Sequence, residues 1–209
     1  MGMPKVDGKP YDRQQVQGET LDNITIAALA VAESRLGYDL TVIQGSYTGG
    51  AVPQSGGTHD GGGAVDLAAY DWDGKYGKVA VLRRIGFDAW HRPQNWDGNG
   101  GGEHIHAVLA GNNKLSPEAQ SQVAQYKAHT NGLADHGPDT FPYHPDGREF
   151  TEDDYRDFRT SQNAAARRRD KRKAALMHAL RSLVRLRKLT DDRRDKAAVQ
   201  RTIATLRKH

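Results

Sequence analysis

The chain contains no cysteine. Disulfide frameworks and thiolate metal sites are therefore excluded, and any transition metal must be held by His, Asp or Glu. No apolar run approaches the ~18 residues needed to cross a bilayer. The opening stretch MGMPKVDGKPYDRQQ has no hydrophobic segment of the kind found in secretory signals, so action outside the cytoplasm would require another exit route. Aromatic residues are scarce, at 7%, which leaves material for only a modest core.

What the chain does have is glycine and charge: 23 glycines and 27% charged residues in a length of 209. That suits one domain, or one domain with an appendage. The formal net charge of +4 conceals two opposite parts. Residues 1–150 carry 12 Lys+Arg against 18 Asp+Glu, whereas residues 151–209 carry 18 against 8. A polar lead-in (1–19), an acidic domain (20–150) and a basic helical tail (151–209) is the organisation this predicts.

Local signals define the elements. Thr20 or Asp22 can cap a helix through ITIAALAVAESRL, which stops at Gly37. LTVIQ (40–44), GAVDLAA (63–69), FDAWH (87–91) and HIHAVLA (104–110) read as short strands. A helix is expected around Tyr76–Ile85, and another after Ser116-Pro117-Glu118, which supplies a cap, a first-turn proline and an acid. Thr151 and Asp154 form a capping box ahead of the tail. Apolar stripes at Leu176, Leu180, Leu183 or Val184, and Leu186, then at Val199, Ile203 and Leu206, predict two helices forming a hairpin, divided at Thr190-Asp191-Asp192. The fold class expected is α+β, with a small antiparallel sheet flanked by helices.

Two short motifs carry chemistry. The first, THDGGGAVDL (58–67), places His59 and Asp66 on either side of three glycines. The second is Glu103-His104-Ile105-His106. A catalytic zinc takes three protein N or O ligands and leaves a position open. His59, Asp66 and one histidine of the second motif could supply them, with the remaining acid as general base. On a strand, His104 and His106 share a face and Glu103 points the other way, unless it sits in the preceding turn. Neither motif says much alone, but their order, and the acid before His-x-His, favour a metal site. His91, His129, His136 and His144 read as surface or structural residues. The glycine runs lead into no Lys-Ser/Thr helix, so they are not phosphate cradles.

SGGTHDGGGAVDL followed by EHIH resembles the M15 zinc peptidases, the D-Ala-D-Ala carboxypeptidases and endopeptidases of peptidoglycan stem peptides, which include domains of actinobacterial phage endolysins. The resemblance covers roughly residues 20–128. It implies the M15, hedgehog-like fold, with His59, Asp66 and His106 binding one Zn2+, Glu103 as catalytic base and His104 steadying the tetrahedral intermediate. It also implies a monomer made in a host cytoplasm and acting at the cell wall on a peptidoglycan peptide. Many members carry an arginine shortly before the first zinc histidine, to grip a substrate carboxylate. The corresponding stretch here, QGSYTGGAVPQSGG, has no basic residue, which favours cleavage within a peptide over carboxypeptidase action. Gln44, Ser46 and Tyr47 are the candidate substrate residues there, and Trp90 and Trp96 could line a groove. For the tail, a solvated helix face and docking to an anionic wall polymer or membrane surface stand level. Nucleic acid is disfavoured, because no nucleic-acid fold signature accompanies the charge.

Overall fold

The computed structural model describes residues 2–69, 75–98, 100–145, 148–189 and 193–206. The chain divides into two compact units, Met1–Arg159 and Thr160–His209.

The first unit is mixed α+β. Strands β1 (Arg13–Val16) and β2 (Glu19–Asp22) form an antiparallel hairpin, followed by helix α1 (Asn23–Leu36). Asp22 caps α1: its Oδ1 accepts from the Thr25 amide at 3.1 Å, a contact worth about 1 kcal/mol. Gly37 ends the helix in the left-handed conformation, φ 79°. Strands β3 (Val42–Gln44), β4 (Ala64–Ala68), β5 (Phe87–Arg92) and β6 (His104–Leu109) make one antiparallel sheet in the order β3-β4-β6-β5. Helix α2 (Lys75–Ile85) precedes β5, and α3 (Pro117–Lys127) follows β6, capped by Ser116.

Register decides what each face of the sheet carries. Asp66 pairs with His106, and His106 with Trp90; Ala68 pairs with His104, and His104 with Arg92. Directly paired residues share a face, so acid, imidazoles, indole and guanidinium lie together on one side. The intervening residues Val65, Leu67, Phe87, Ala89, Ile105, Ala107 and Leu109 join the main core with α1. Five apolar residues from both the site face and α3 form a second, smaller cluster, which includes Ala64, Trp90 and Val108.

The polar lead-in is a correction. Arg13–Val16 is a strand, and Val6 and Val16 are buried in the main core. Gln17 (φ 55°) and Gly18 (φ 96°) make the turn. The capping box at Thr151 forms, with the Thr151 amide donating to Asp154 Oδ2 at 2.8 Å. Helix α4 (Glu152–Leu189) then runs for 38 residues, and its start belongs to the first unit, where Tyr155 is buried in the core.

The second unit holds the remainder of α4 and helix α5 (Arg193–Leu206). Leu176, Leu180 and Leu183 are half-buried, and Ile203 is buried. The break expected at Thr190-Asp191-Asp192 lies outside the described residues. Among the described residues no helix is long and apolar enough to cross a membrane.

Candidate metal centre

The loop before β4 is held too tightly to carry side chains. Gly62 N donates to Lys114 O at 2.6 Å, Tyr47 N to Gly61 O at 2.9 Å, and Leu109 N to Gly63 O at 2.9 Å. A methyl group on Gly61 would collide with the backbone of Lys114 and Ser116, and one on Gly62 with Asp22 and the Tyr47 hydroxyl. Gly63, at φ 80°, turns the chain into β4. The glycines thus let the loop lie flat against its neighbours and deliver His59 beside Asp66.

His59, Asp66 and His106 converge. Asp66 Oδ1 is 3.4 Å from His59 Nε2 and 2.8 Å from His106 Nδ1, and the two ring nitrogens are 3.4 Å apart. His59 is 1% exposed, His106 5% and Asp66 9%. The far side of each ring is fixed: His59 Nδ1 donates to Gly45 O at 2.7 Å, and His106 Nε2 donates to Gln122 Oε1 at 2.8 Å. Gln122 is held in turn by donating to Gly132 O at 3.0 Å. Neutral imidazoles with those tautomers aim two lone pairs at the Asp66 carboxylate. Three acceptors converging in a buried space require a cation between or among them, a proton or a metal.

The dimensions suit a metal. Zinc bonds of about 2.0–2.1 Å in tetrahedral array place ligand atoms ~3.3 Å apart, and two of the three separations here are 3.4 Å. The three residues could therefore hold one metal ion. Electrostatics favour the unprotonated form at Asp66 and His106 and the protonated form at His59. Burial would raise the Asp66 carboxyl, but hydrogen bonds and charge from His106 and His59 outweigh it and hold the group well below the usual carboxylate range. Burial pushes His106 down, more than Asp66 raises it. His59 is also pushed down by burial, but the Asp66 hydrogen bond and charge bring it above its ordinary value.

The centre sits in a cleft of about 1170 Å³. His104 lines it, with Nε2 3.9 Å from Asp66 Oδ2, Nδ1 donating to Gly102 O at 2.8 Å, and Trp96 edge-on at 5.8 Å. Glu103 also lines the cleft, but lies outside the three-ligand group: its Oε1 accepts from His91 Nε2 at 2.7 Å. His91, read from the sequence as surface or structural, is thus the partner of the candidate base. Gln44 lines the cleft and donates to Ser55 Oγ at 2.6 Å.

Three other candidates do not line the cleft. Ser46 is buried and donates to Ala64 O at 2.6 Å. Tyr47 donates to Asp22 Oδ2 at 2.8 Å, beneath the Arg13 guanidinium. Trp90, also buried, stacks on His106 with ring centroids 6.1 Å apart.

Besides His91, two residues of the site escaped sequence reasoning. Gln122 fixes the His106 tautomer from α3. Arg92 lines the cleft at the end of β5, 5.5 Å from the Trp90 ring and 5.7 Å from that of Trp96. Its Nη1 donates to Asn131 O at 2.7 Å, and its buried Nη2 has no hydrogen-bond partner among the described residues. The period-2 alternation of FDAWHR, which puts Asp88, Trp90 and Arg92 on one face, was the available signal.

No family model matches the chain, and no match was found among curated proteins or solved structures.

Proposed function

We propose that the chain is a zinc-dependent peptidase that hydrolyses an amide bond in peptidoglycan stem peptides, as in a phage endolysin or its lysis module. The observation that carries this reading is the convergence of His59, Asp66 and His106 at a cleft that Glu103 and His104 also line. The order and spacing of those residues resemble the M15 zinc peptidases and their fold. His59 Nε2, Asp66 Oδ1 and His106 Nδ1 would hold the zinc, which when bound supplies Lewis acidity to the carbonyl and to the attacking water.

The chain's own residues do the remainder. Glu103, released from or shared with His91, takes the proton of the water and returns it to the leaving amine. His104 Nε2 lies 3.9 Å from Asp66 Oδ2; because Nδ1 already donates to Gly102 O, the ring donates from Nε2 to the oxygen on which negative charge develops only in its doubly protonated form. Gly45 and Gln122 keep both ligand rings in the tautomer that leaves the inward nitrogen bare.

Arg92 supports a second reading of the bond cleaved. The absence of a basic residue in 44–57 argued for cleavage within a peptide, yet β5 supplies a guanidinium to the same cleft. A guanidinium lining the cleft suits a substrate carboxylate, so a D-Ala-D-Ala carboxypeptidase stands as a second reading beside an endopeptidase, with the unpaired Nη2 itself buried. A zinc-binding domain of the same fold that does not cleave has no use for Glu103 at the cleft. Digestion of purified walls, with mass spectrometry of the released peptides, separates these readings. Loss of a terminal residue marks the carboxypeptidase, internal cuts mark the endopeptidase, and equal release by Glu103→Gln contradicts hydrolysis by this site.

A further inference from the structure

The boundary between the two units is also a boundary of charge. Residues 1–159 carry 14 Lys+Arg and 22 Asp+Glu, a net of −8, whereas residues 160–209 carry 16 and 4, a net of +12. Within α4 the cations are arranged. Arg167, Lys171, Arg181 and Arg185 fall within an arc of about 80° at 100° per residue, over roughly 27 Å of helix. All four are exposed. The opposite side carries Leu176, Leu180 and Leu183, which are half-buried.

The N-terminal part of this helix differs. Arg167, Arg168, Arg169, Lys171, Arg172 and Lys173 put six exposed cations into seven residues, with Asp170 as the single acid. Seven residues make about two turns, so these cations surround the helix rather than occupy one face. A planar anionic membrane could meet only a part of them. A flexible polyanion can wrap the helix and meet all of them, with the guanidinium forks pairing phosphate oxygens bidentately.

We infer that α4 of the second unit, centred on Arg167–Lys173, is a docking helix for a flexible phosphodiester polymer of the bacterial wall. The choice of wall polymer over nucleic acid rests on the peptidase reading of the first unit. The acidic first unit would be repelled by the same polymer, so attachment through the tail alone leaves the cleft free to sample peptides nearby.

The test uses the full chain carrying Glu103→Gln, so that binding is measured without digestion. Purified walls, either intact or stripped of phosphodiester polymer by acid extraction, are sedimented with the protein. Soluble poly(glycerol phosphate), random duplex DNA and anionic vesicles serve as comparison ligands. Intact walls should retain the protein at least tenfold better than stripped walls. Changing all six cations of 167–173 to Gln, which keeps the helix propensity, should abolish the difference, and changing the four arginines to Lys, which keeps the charge but removes the bidentate forks, should leave a smaller one. The logarithm of affinity for poly(glycerol phosphate) should fall with that of salt with a slope of about −4, as expected for six neutralised phosphates. Equal retention on stripped walls, or tighter binding to DNA or vesicles than to the polymer, overturns the inference. Retention without any peptide release by the wild-type chain would contradict the peptidase and leave the docking helix standing. Release without retention would do the reverse.

Discussion

His91 Nε2 lies 2.7 Å from Glu103 Oε1, so the candidate general base is held by a neighbouring strand rather than by the metal centre. His91 is the penultimate residue of β5, on the face opposite Trp90 and Arg92, and Glu103 precedes β6 with the same parity. His91→Ala should lower kcat by about 10–100-fold, the size seen when such supporting partners are removed. Zinc content and KM should stay near wild type. Metal analysis beside steady-state kinetics checks this, and a loss of zinc would place His91 in the metal centre instead.

Gln122 makes a comparable prediction for the metal itself. Gln122→Ala leaves the buried His106 Nε2 hydrogen unpaired and the ring free to turn. Zinc affinity should fall about 10–100-fold, measured by competition with a chelating indicator. Unchanged affinity would mean that the His106 tautomer is set by something else.

The glycine loop allows a paired experiment. Gly61→Ala forces the 58–63 loop off the backbone of Lys114 and Ser116 and should cost about 1–3 kcal/mol. Gly77→Ala, in α2 with open space around the new methyl group, should stabilise by about 0.5–1 kcal/mol. Thermal or urea unfolding of both variants reads the contrast.

Asp88 gives the chain a pH signature away from the cleft. Burial pushes its carboxyl up from 3.8 to about 8, and Oδ2 has no hydrogen-bond partner among the described residues. A raised folded-state pKa means the folded chain holds the proton more tightly, so stability is fully present below the ordinary value and is lost as pH rises towards 8. Asp88→Asn carries no charge to bury. Its melting temperature should exceed that of wild type by a margin that grows between pH 5 and pH 9. A margin independent of pH would contradict the assignment.

Much of this architecture was legible because local signals and burial agreed. Asp22, Gly37 and Ser116 marked helix ends, and alternation in HIHAVLA put His104 and His106 on one face. The mixed α+β class followed from the same signals. The β1–β2 hairpin was not legible: RQQV and ETLD lack clean alternation, and Gln17-Gly18 is a weak turn signal. Burial of Val16 and Leu21 in the main core accompanies the pairing, a tertiary contribution that no local pattern displays. In the site, His59 and Asp66 were readable from their spacing around the glycines. Gln122, Arg92 and His91 were not, because each acts through a partner 12 to 39 residues away that only the register and the α3 packing bring near.

The central claim is that His59, Asp66 and His106 hold one zinc on which peptide hydrolysis depends. The direct measurement is zinc per chain and stem-peptide hydrolysis on one preparation, before metal stripping, after it, and after zinc is restored. The account predicts one zinc per chain, lost together with activity on stripping, regained together on reconstitution, and absent from His106→Ala. Full hydrolysis by the stripped chain, or one tightly held zinc in His106→Ala, would contradict it.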